Sequence, residues 1–305
     1  MLLKFAVKEF LAEKEFQNLS PASISAYRFT LKGFAEFCAG RQIFNVAEVT
    51  IKDIREYLRH CREECGNGPV SLNHKLNNLR IFFKHMISIE AITQNPAEGL
   101  KPLRTDVRIE TLTDQHIRLI LGYFQRQRRR EKTFYAYRDY MIVVILLGTG
   151  MRLGELVNLE WDHVGIENGG TITVYGKKRE LSSIPLIDKL KKELLAYRSY
   201  CEKIIGHLPQ HVITTRAGAK VTEGAVKCVF KRLKKNLGLS EVRLSPHTFR
   251  HTFAQRYILA GGDAFSLQRI LRHSNISTTM RYVNLWGTAL KEQNDRFNPL
   301  VNINI

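Results

Sequence analysis

From Ser20 onward, apolar residues recur three or four positions apart: Ile24, Tyr27, Leu31, Phe34 and Phe37 fall on one side of a helix. Ser20 offers an N-cap and Pro21 occupies the first helical position, so the spacing predicts a helix to about Ala39. Two further helices are predicted at about 51–65 and 71–89, separated by Gly66-Asn67-Gly68-Pro69, which breaks any continuous helix. With the start of the chain these make a small helical domain over residues 1–95.

The periodicity lapses in Asn95-Pro96-Ala97-Glu98-Gly99-Leu100-Lys101-Pro102-Leu103-Arg104 and returns where Leu112-Thr113-Asp114 opens a new helix. Residues 96–110 are therefore read as a linker and 111–305 as a second domain. An apolar helix covers 140–147, and two strands, 171–175 and 183–186, flank a charged tip, Gly176-Lys177-Lys178-Arg179-Glu180. Helices resume at about 188–205, 222–237, 245–260 and 263–271, each opened by an Asp, Ser or Thr. The expected fold class is mainly α, with a small antiparallel β-sheet in the second domain. No internal repeat or low-complexity segment stands out.

Charge narrows the function. Over 305 residues, 47 lysines and arginines against 29 acidic residues leave +18 and an isoelectric point near 9.8, so a polyanion is the default partner. Nucleic acid leads, and an anionic membrane surface follows. Residues 1–104 hold 15 basic against 11 acidic side chains and the remainder 32 against 18, which makes the second part the more densely basic. No run approaches a membrane span of about 18 apolar residues, and charge enters at Lys4, too early for a signal-peptide core; a cytoplasmic protein is expected. Five scattered cysteines argue against a disulfide framework, and Cys61 and Cys65 with His60 lack the fourth ligand of a zinc site.

Three segments carry candidate chemistry. In Ser245-Pro246-His247-Thr248-Phe249-Arg250-His251, helical spacing gathers His247, Arg250 and His251 near a helix N-terminus, where amide dipoles favour an anion. In Thr149-Gly150-Met151-Arg152-Leu153-Gly154-Glu155, Glu155 is placed to orient the Arg152 guanidinium by a bidentate contact; the Gly-Lys-Ser/Thr ending of a phosphate loop is missing. In His273-Ser274-Asn275-Ile276-Ser277-Thr278-Thr279-Met280-Arg281-Tyr282, the tyrosine is a candidate nucleophile, a phenol that needs positive neighbours and a base. Each segment alone reads more readily as structural; together they make a phosphoryl-transfer set.

This set resembles the signature of the tyrosine recombinase family, which includes phage integrases and Xer-type resolvases: Arg152, His247-x-x-Arg250, His273 and Tyr282 stand in family order, and the likeness covers essentially the whole chain. It implies a helical core-DNA-binding domain, a catalytic domain, and a C-terminal exchange tail over about 285–305 that docks on a neighbouring protomer. Arg152 and Arg250 would clamp the scissile phosphate, His247 and His273 would assist, and Tyr282 would attack to form a 3′-phosphotyrosyl link. Lys177 on the hairpin, preferred over Lys178, would protonate the leaving 5′ oxygen. No metal, ATP or other cofactor is implied.

The implied partners are double-stranded DNA with specific sites, three further protomers in a tetrameric synapse, and a directionality factor; the implied role is integrating or excising a mobile element in a bacterium, with dimer resolution as the alternative. A type IB topoisomerase, a binding protein without catalysis and a metal-dependent nuclease using His247 and His251 are the remaining readings. Two departures from the family pattern are Arg272, where a glycine usually precedes the motif histidine, and Lys178 where a glycine usually follows the lysine. His251 is read as a supporting or packing residue.

Overall fold

The hydroxyl of Ser20 accepts the backbone N–H of Ser23 at 3.2 Å and caps a helix with Pro21 at its first position. The computed structural model describes residues 1–105, 109–167, 169–175 (backbone only at Tyr175), 181–286, 294, 295 and 298. The chain divides into two compact units, Met1–Val107 and Arg108–Ile305.

The first unit packs four α-helices: α1 (Leu3–Phe16), α2 (Pro21–Ala39), α3 (Ile51–Glu63) and α4 (Pro69–Ser88). Helix α1 has no side-chain cap at Leu2, and exposed Phe5 and Phe16 blur its buried stripe of Leu3, Ala6 and Phe10, so the sequence pattern does not delimit it. Helix α4 begins two residues before the expected start, because Pro69 takes its first turn instead of standing outside it. The core is aromatic: Phe10 meets Phe82 edge-on at 5.6 Å, and Phe34 meets Tyr57 at 5.2 Å and Phe83 at 6.0 Å. The stretch beyond Pro96 starts out fastened to α4. Asn73 exchanges two 2.8 Å hydrogen bonds with the backbone of Leu103, and Arg80 donates to the carbonyls of Ala97 and Leu100.

The second unit is built around α6 (Phe134–Thr149), which is apolar on nearly every side and buried accordingly. Helix α5 (Asp114–Glu131), capped by Thr113, and α8 (Asp188–Ile205) pack on it, with α9 (Glu223–Asn236) and α10 (Pro246–Leu259) completing the core. The short α7 (Leu153–Val157) follows α6 directly, and α11 (Ala264–Leu271) and α12 (Ile276–Trp286) close the unit. A three-stranded antiparallel sheet runs in the order β1 (Val164–Gly165), β2 (Thr171–Tyr175), β3 (Leu181–Pro185), with Ile172 opposite Ile184. The strand at 171–175 is as expected, and its partner starts at Leu181, two residues before the expected 183, and ends at Pro185; β1, two residues long, carries no pattern to read. The charged tip with Lys177 and Lys178 lies outside the described residues, as does all of the tail beyond Trp286 except 294, 295 and 298. Among the described residues no helix is long and apolar enough to cross a membrane.

Candidate active site

Helix α6 ends at Gly150, whose φ of 61° is the left-handed conformation that glycine adopts at least cost. A Cβ at this position would lie 2.8 Å from Phe253 and from Leu271, so the packing demands glycine as well. That turn aims the Gly150 carbonyl at Arg250, which donates to it from Nη1 at 2.7 Å and to the Leu271 carbonyl from Nη2 at 2.5 Å. Arg250 is 4% exposed. Burial, then Arg152 and Arg272, push its pKa down to about 10, still charged at neutral pH.

Arg152 caps α7 and is partly open to solvent. Its Nη1 donates to Glu155 Oε1 at 2.8 Å and its Nη2 to the Arg272 carbonyl at 2.8 Å. Glu155 does not grip Arg152 with a two-oxygen fork, as expected; its second oxygen accepts the backbone N–H of Arg152 at 2.7 Å. The fork goes to Arg272 instead, with Nε to Oε1 at 3.2 Å and Nη2 to Oε2 at 2.5 Å. Burial works to raise the Glu155 pKa, but Arg272 and Arg152 outweigh it and hold the carboxyl below the usual range.

The two arginines thus hang from consecutive carbonyls, Leu271 and Arg272, of one turn at the end of α11. His273 follows at once, its Nδ1 2.8 Å from the buried hydroxyl of Thr279. The ring of His273 stacks on Tyr282 at 6.3 Å and 14°, and Trp286 stacks on Tyr282 at 5.9 Å and 17°. The phenol oxygen of Tyr282 lies 2.8 Å from His251 Nδ1. Tyr282 is 3% exposed; burial raises its pKa, and Arg250 and Arg281 offset this only in part.

His247 stands one turn before His251 on α10, with ring centroids 6.5 Å apart. All three imidazoles are held neutral. Neighbouring protein and then Arg250, Arg243 and Arg152 lower the His247 pKa; burial and then His247 and Arg250 take His251 to about 4; burial and then Arg250, Arg152 and Arg272 take His273 to about 3. A neutral imidazole is a base, so the cluster can take a proton from the phenol, while two buried or half-buried guanidiniums offer positive charge to an oxyanion.

Of the sequence-predicted set, Arg152, His247, Arg250, His273 and Tyr282 come together around the start of α10 and the turn at Arg272. Lys177 lies outside the described residues. Sequence reasoning gave too little weight to His251, which touches the nucleophile candidate, and to Arg272, Thr279 and Trp286. The signal for His251 was its place four residues after His247 on one helix face, and that for Arg272 was its departure from the glycine of the family pattern; Thr279 and Trp286 had none beyond proximity to the motif.

Two comparisons with protein families cover most of the chain. The phage integrase family matches residues 110–286, and the phage integrase N-terminal SAM-like domain matches residues 7–93. The tyrosine recombinase XerC of Leptospira interrogans is 26% identical over 283 residues, covering 93% of this chain and 89% of that protein. The tyrosine recombinase XerC of Roseiflexus castenholzii is 27% identical over 274 residues, covering 88% and 85%. In fold, the chain is similar to the Tn1549 transposon integrase in complex with transposon right end DNA, with a TM-score of 0.78 and 21% identity over 97% of this chain and 99% of that one. It is also similar to a lambda integrase dimer bound to a COC′ core site, with a TM-score of 0.73 and 21% identity over 91% and 97%. The chain belongs to the phage integrase family, and with it to the tyrosine recombinases, enzymes that cut and rejoin DNA strands.

Proposed function

We propose that Tyr282 is the nucleophile of a site-specific recombinase and that Arg152 and Arg250 are its phosphate clamp. The observation that carries this reading is the turn at 271–272, whose successive carbonyls orient both guanidiniums beside Tyr282 and His273. The Tyr282 oxygen attacks the phosphorus of a DNA strand and forms a 3′-phosphotyrosyl ester. The 5′ oxygen leaves with a proton from Lys177, and the phenol proton passes to a neutral imidazole, with His251 in contact and His247 and His273 nearby. Arg152 and Arg250 stabilise the charge of the pentacoordinate state. Attack by a new 5′-hydroxyl on the phosphotyrosine reverses these steps and joins the strands, conserving the bond energy without ATP or a metal.

The substrate is double-stranded DNA inside a bacterial cell, bound mainly through its phosphates by a chain of net charge +18. A tetramer on two sites exchanges strands. An apolar groove of about 540 Å³ on the second unit, lined by Ile117, Leu121, Val144, Leu147, Phe253 and Tyr257, receives the tail of a neighbouring copy, whose sequence past Trp286 carries Leu290, Phe297, Leu300 and Val301. Integration or excision of a mobile element is the proposed role; the XerC relatives favour a second reading, resolution of joined replicons.

The test is a covalent adduct. Wild-type protein incubated with DNA in EDTA and quenched with detergent is expected to carry DNA, and Tyr282→Phe none. Adducts that persist in Tyr282→Phe, or that require a divalent metal, would overturn the reading.

A further inference from the structure

Arg272 occupies a left-handed helix-end position, where glycine is strained least. It caps α11 with φ 55° and ψ 49°, and the turn closes with Arg272 N–H on the Arg269 carbonyl at 3.1 Å and His273 N–H on the Gln268 carbonyl at 3.0 Å. This is the paired hydrogen-bond pattern in which glycine is the usual left-handed residue, because an L side chain is strained there.

What Arg272 does is visible on the far side of the turn. The Arg272 side chain is 4% exposed and turned inward: it forks onto Glu155 and donates a 2.6 Å hydrogen bond from Nη1 to the Ile270 carbonyl. Glu155 is the same carboxylate that holds Arg152, and its side chain is only 8% exposed. With glycine at 272, that buried anion would have Arg152 as its one guanidinium partner and would cancel the charge Arg152 offers to a phosphate. With Arg272 present, the carboxylate is shared. Three guanidiniums, Arg152, Arg250 and Arg272, then stand against one carboxylate, and the two that face the turn keep their charge for a ligand. The Arg272 carbonyl also takes Arg152 Nη2, a backbone contact that glycine would supply too, so the side chain's own contribution is to the effective charge of Arg152.

We infer that Arg272 is a positioning residue for strand transfer, acting through Glu155 on Arg152; this rests on the reading of Arg152 and Arg250 as the phosphate clamp. It touches neither phosphate nor tyrosine. Its effect belongs to the step in which negative charge builds on the phosphoryl oxygens, not to DNA binding, which is spread over many phosphates.

The experiment uses nicked duplexes selected from a random library by covalent capture on the full-length wild-type protein in EDTA, and measures DNA affinity and single-turnover adduct formation at saturating DNA. Arg272→Gly keeps the turn, since glycine is at ease there, and a melting curve checks its fold. Its expected adduct rate is about 10- to 100-fold below wild type, a smaller loss than the roughly 10²- to 10³-fold of removing a donor in direct contact with the reacting oxygens because Arg272 acts at one remove, with affinity changed less than about 3-fold. Arg272→Lys, which keeps the charge but not the fork, should recover part of the rate. The double variant Glu155→Gln/Arg272→Gly removes the anion that would otherwise cancel the charge of Arg152, and should be faster than Arg272→Gly alone, by about 10-fold, a rescue that a merely structural role for Arg272 does not produce. A wild-type rate in Arg272→Gly, a defect confined to affinity or melting, or no rescue in the double variant would overturn the inference while the clamp reading stands. A wild-type protein that captures no duplex overturns the clamp reading and this inference with it.

Discussion

The phenol oxygen of Tyr282 and the Nδ1 of His251 lie 2.8 Å apart, joining residues 31 positions distant in sequence. With His251 neutral, the phenol donates to it when the imidazole carries its own proton on Nε2. The ring sits between His273 and Trp286 and is nearly closed to solvent, so its oxygen must move outward to reach a phosphate in a DNA backbone.

That contact predicts a coupling measurable without DNA. His251→Phe preserves packing but strands the buried phenol, at a cost of about 1–3 kcal/mol. Tyr282→Phe made in the His251→Phe background should then cost almost nothing further. A double-mutant cycle by denaturant unfolding checks this: a coupling of about 1 kcal/mol or more is expected, and additive effects would show that the contact holds nothing.

Glu155 predicts a larger loss. It binds two guanidiniums, and Glu155→Ala leaves the 4%-exposed Arg272 side chain buried without its counter-ion. Breaking a buried pair from one side costs about 3–5 kcal/mol, so the midpoint of unfolding should drop well below that of wild type. Glu155→Gln, which still accepts hydrogen bonds, should lose less. Equal losses for the two variants would mean that the charge of Glu155 contributes nothing to stability.

Acid should destabilise the fold earlier than carboxylate titration alone would. His251 and His273 have folded pKa values of about 4 and about 3, well below 6.5. As pH falls below 6.5 the unfolded chain takes up these protons and the folded chain does not, so stability is highest above pH 6.5 and declines toward pH 4 and beyond. Melting temperatures between pH 7 and 5.5 should fall for wild type, and fall less steeply for His251→Phe. A wild-type melting temperature that is flat over this window would contradict the buried, neutral state of both rings.

The tail and the groove on the second unit predict a separation of functions. Removing residues 288–305 should leave adduct formation on single sites within about 3-fold of wild type, because no clamp residue is touched, and should abolish the assembly of two sites into one complex on a native gel. Intact synapsis in the truncated protein would assign the groove to something other than this tail.

Local chemistry was legible in the sequence and distant chemistry was not. Ser20, Thr113, Thr222, Ser245 and Asp263 each cap the helix they announce, because a cap and its N–H lie three residues apart. Arg152 and Glu155 are likewise three apart, and their contact could be read, though not its geometry. The fork from Arg272 to Glu155 spans 117 residues, and the hydrogen bond between His251 and Tyr282 spans 31; no periodicity encodes either. Arg272 could be read only as a missing glycine, since the left-handed turn that makes the substitution meaningful exists only in three dimensions.

The leaving group tests Lys177, a proposed catalytic residue that lies outside the described residues. Lys177 is proposed to protonate the departing 5′ oxygen, because an alkoxide is too basic to leave unassisted. A thiolate, from a thiol near pKa 8.5, needs no proton. Lys177→Ala should therefore cleave ordinary DNA about 10²- to 10⁴-fold slower than wild type, the usual worth of a general acid, and regain nearly full speed when sulfur replaces the bridging 5′ oxygen. Arg250→Ala should stay slow on both substrates, since the charge it stabilises sits on the non-bridging oxygens. If Lys178→Ala shows the slow-then-restored pattern and Lys177→Ala does not, the proton comes from Lys178; if sulfur restores neither, the general acid is neither lysine.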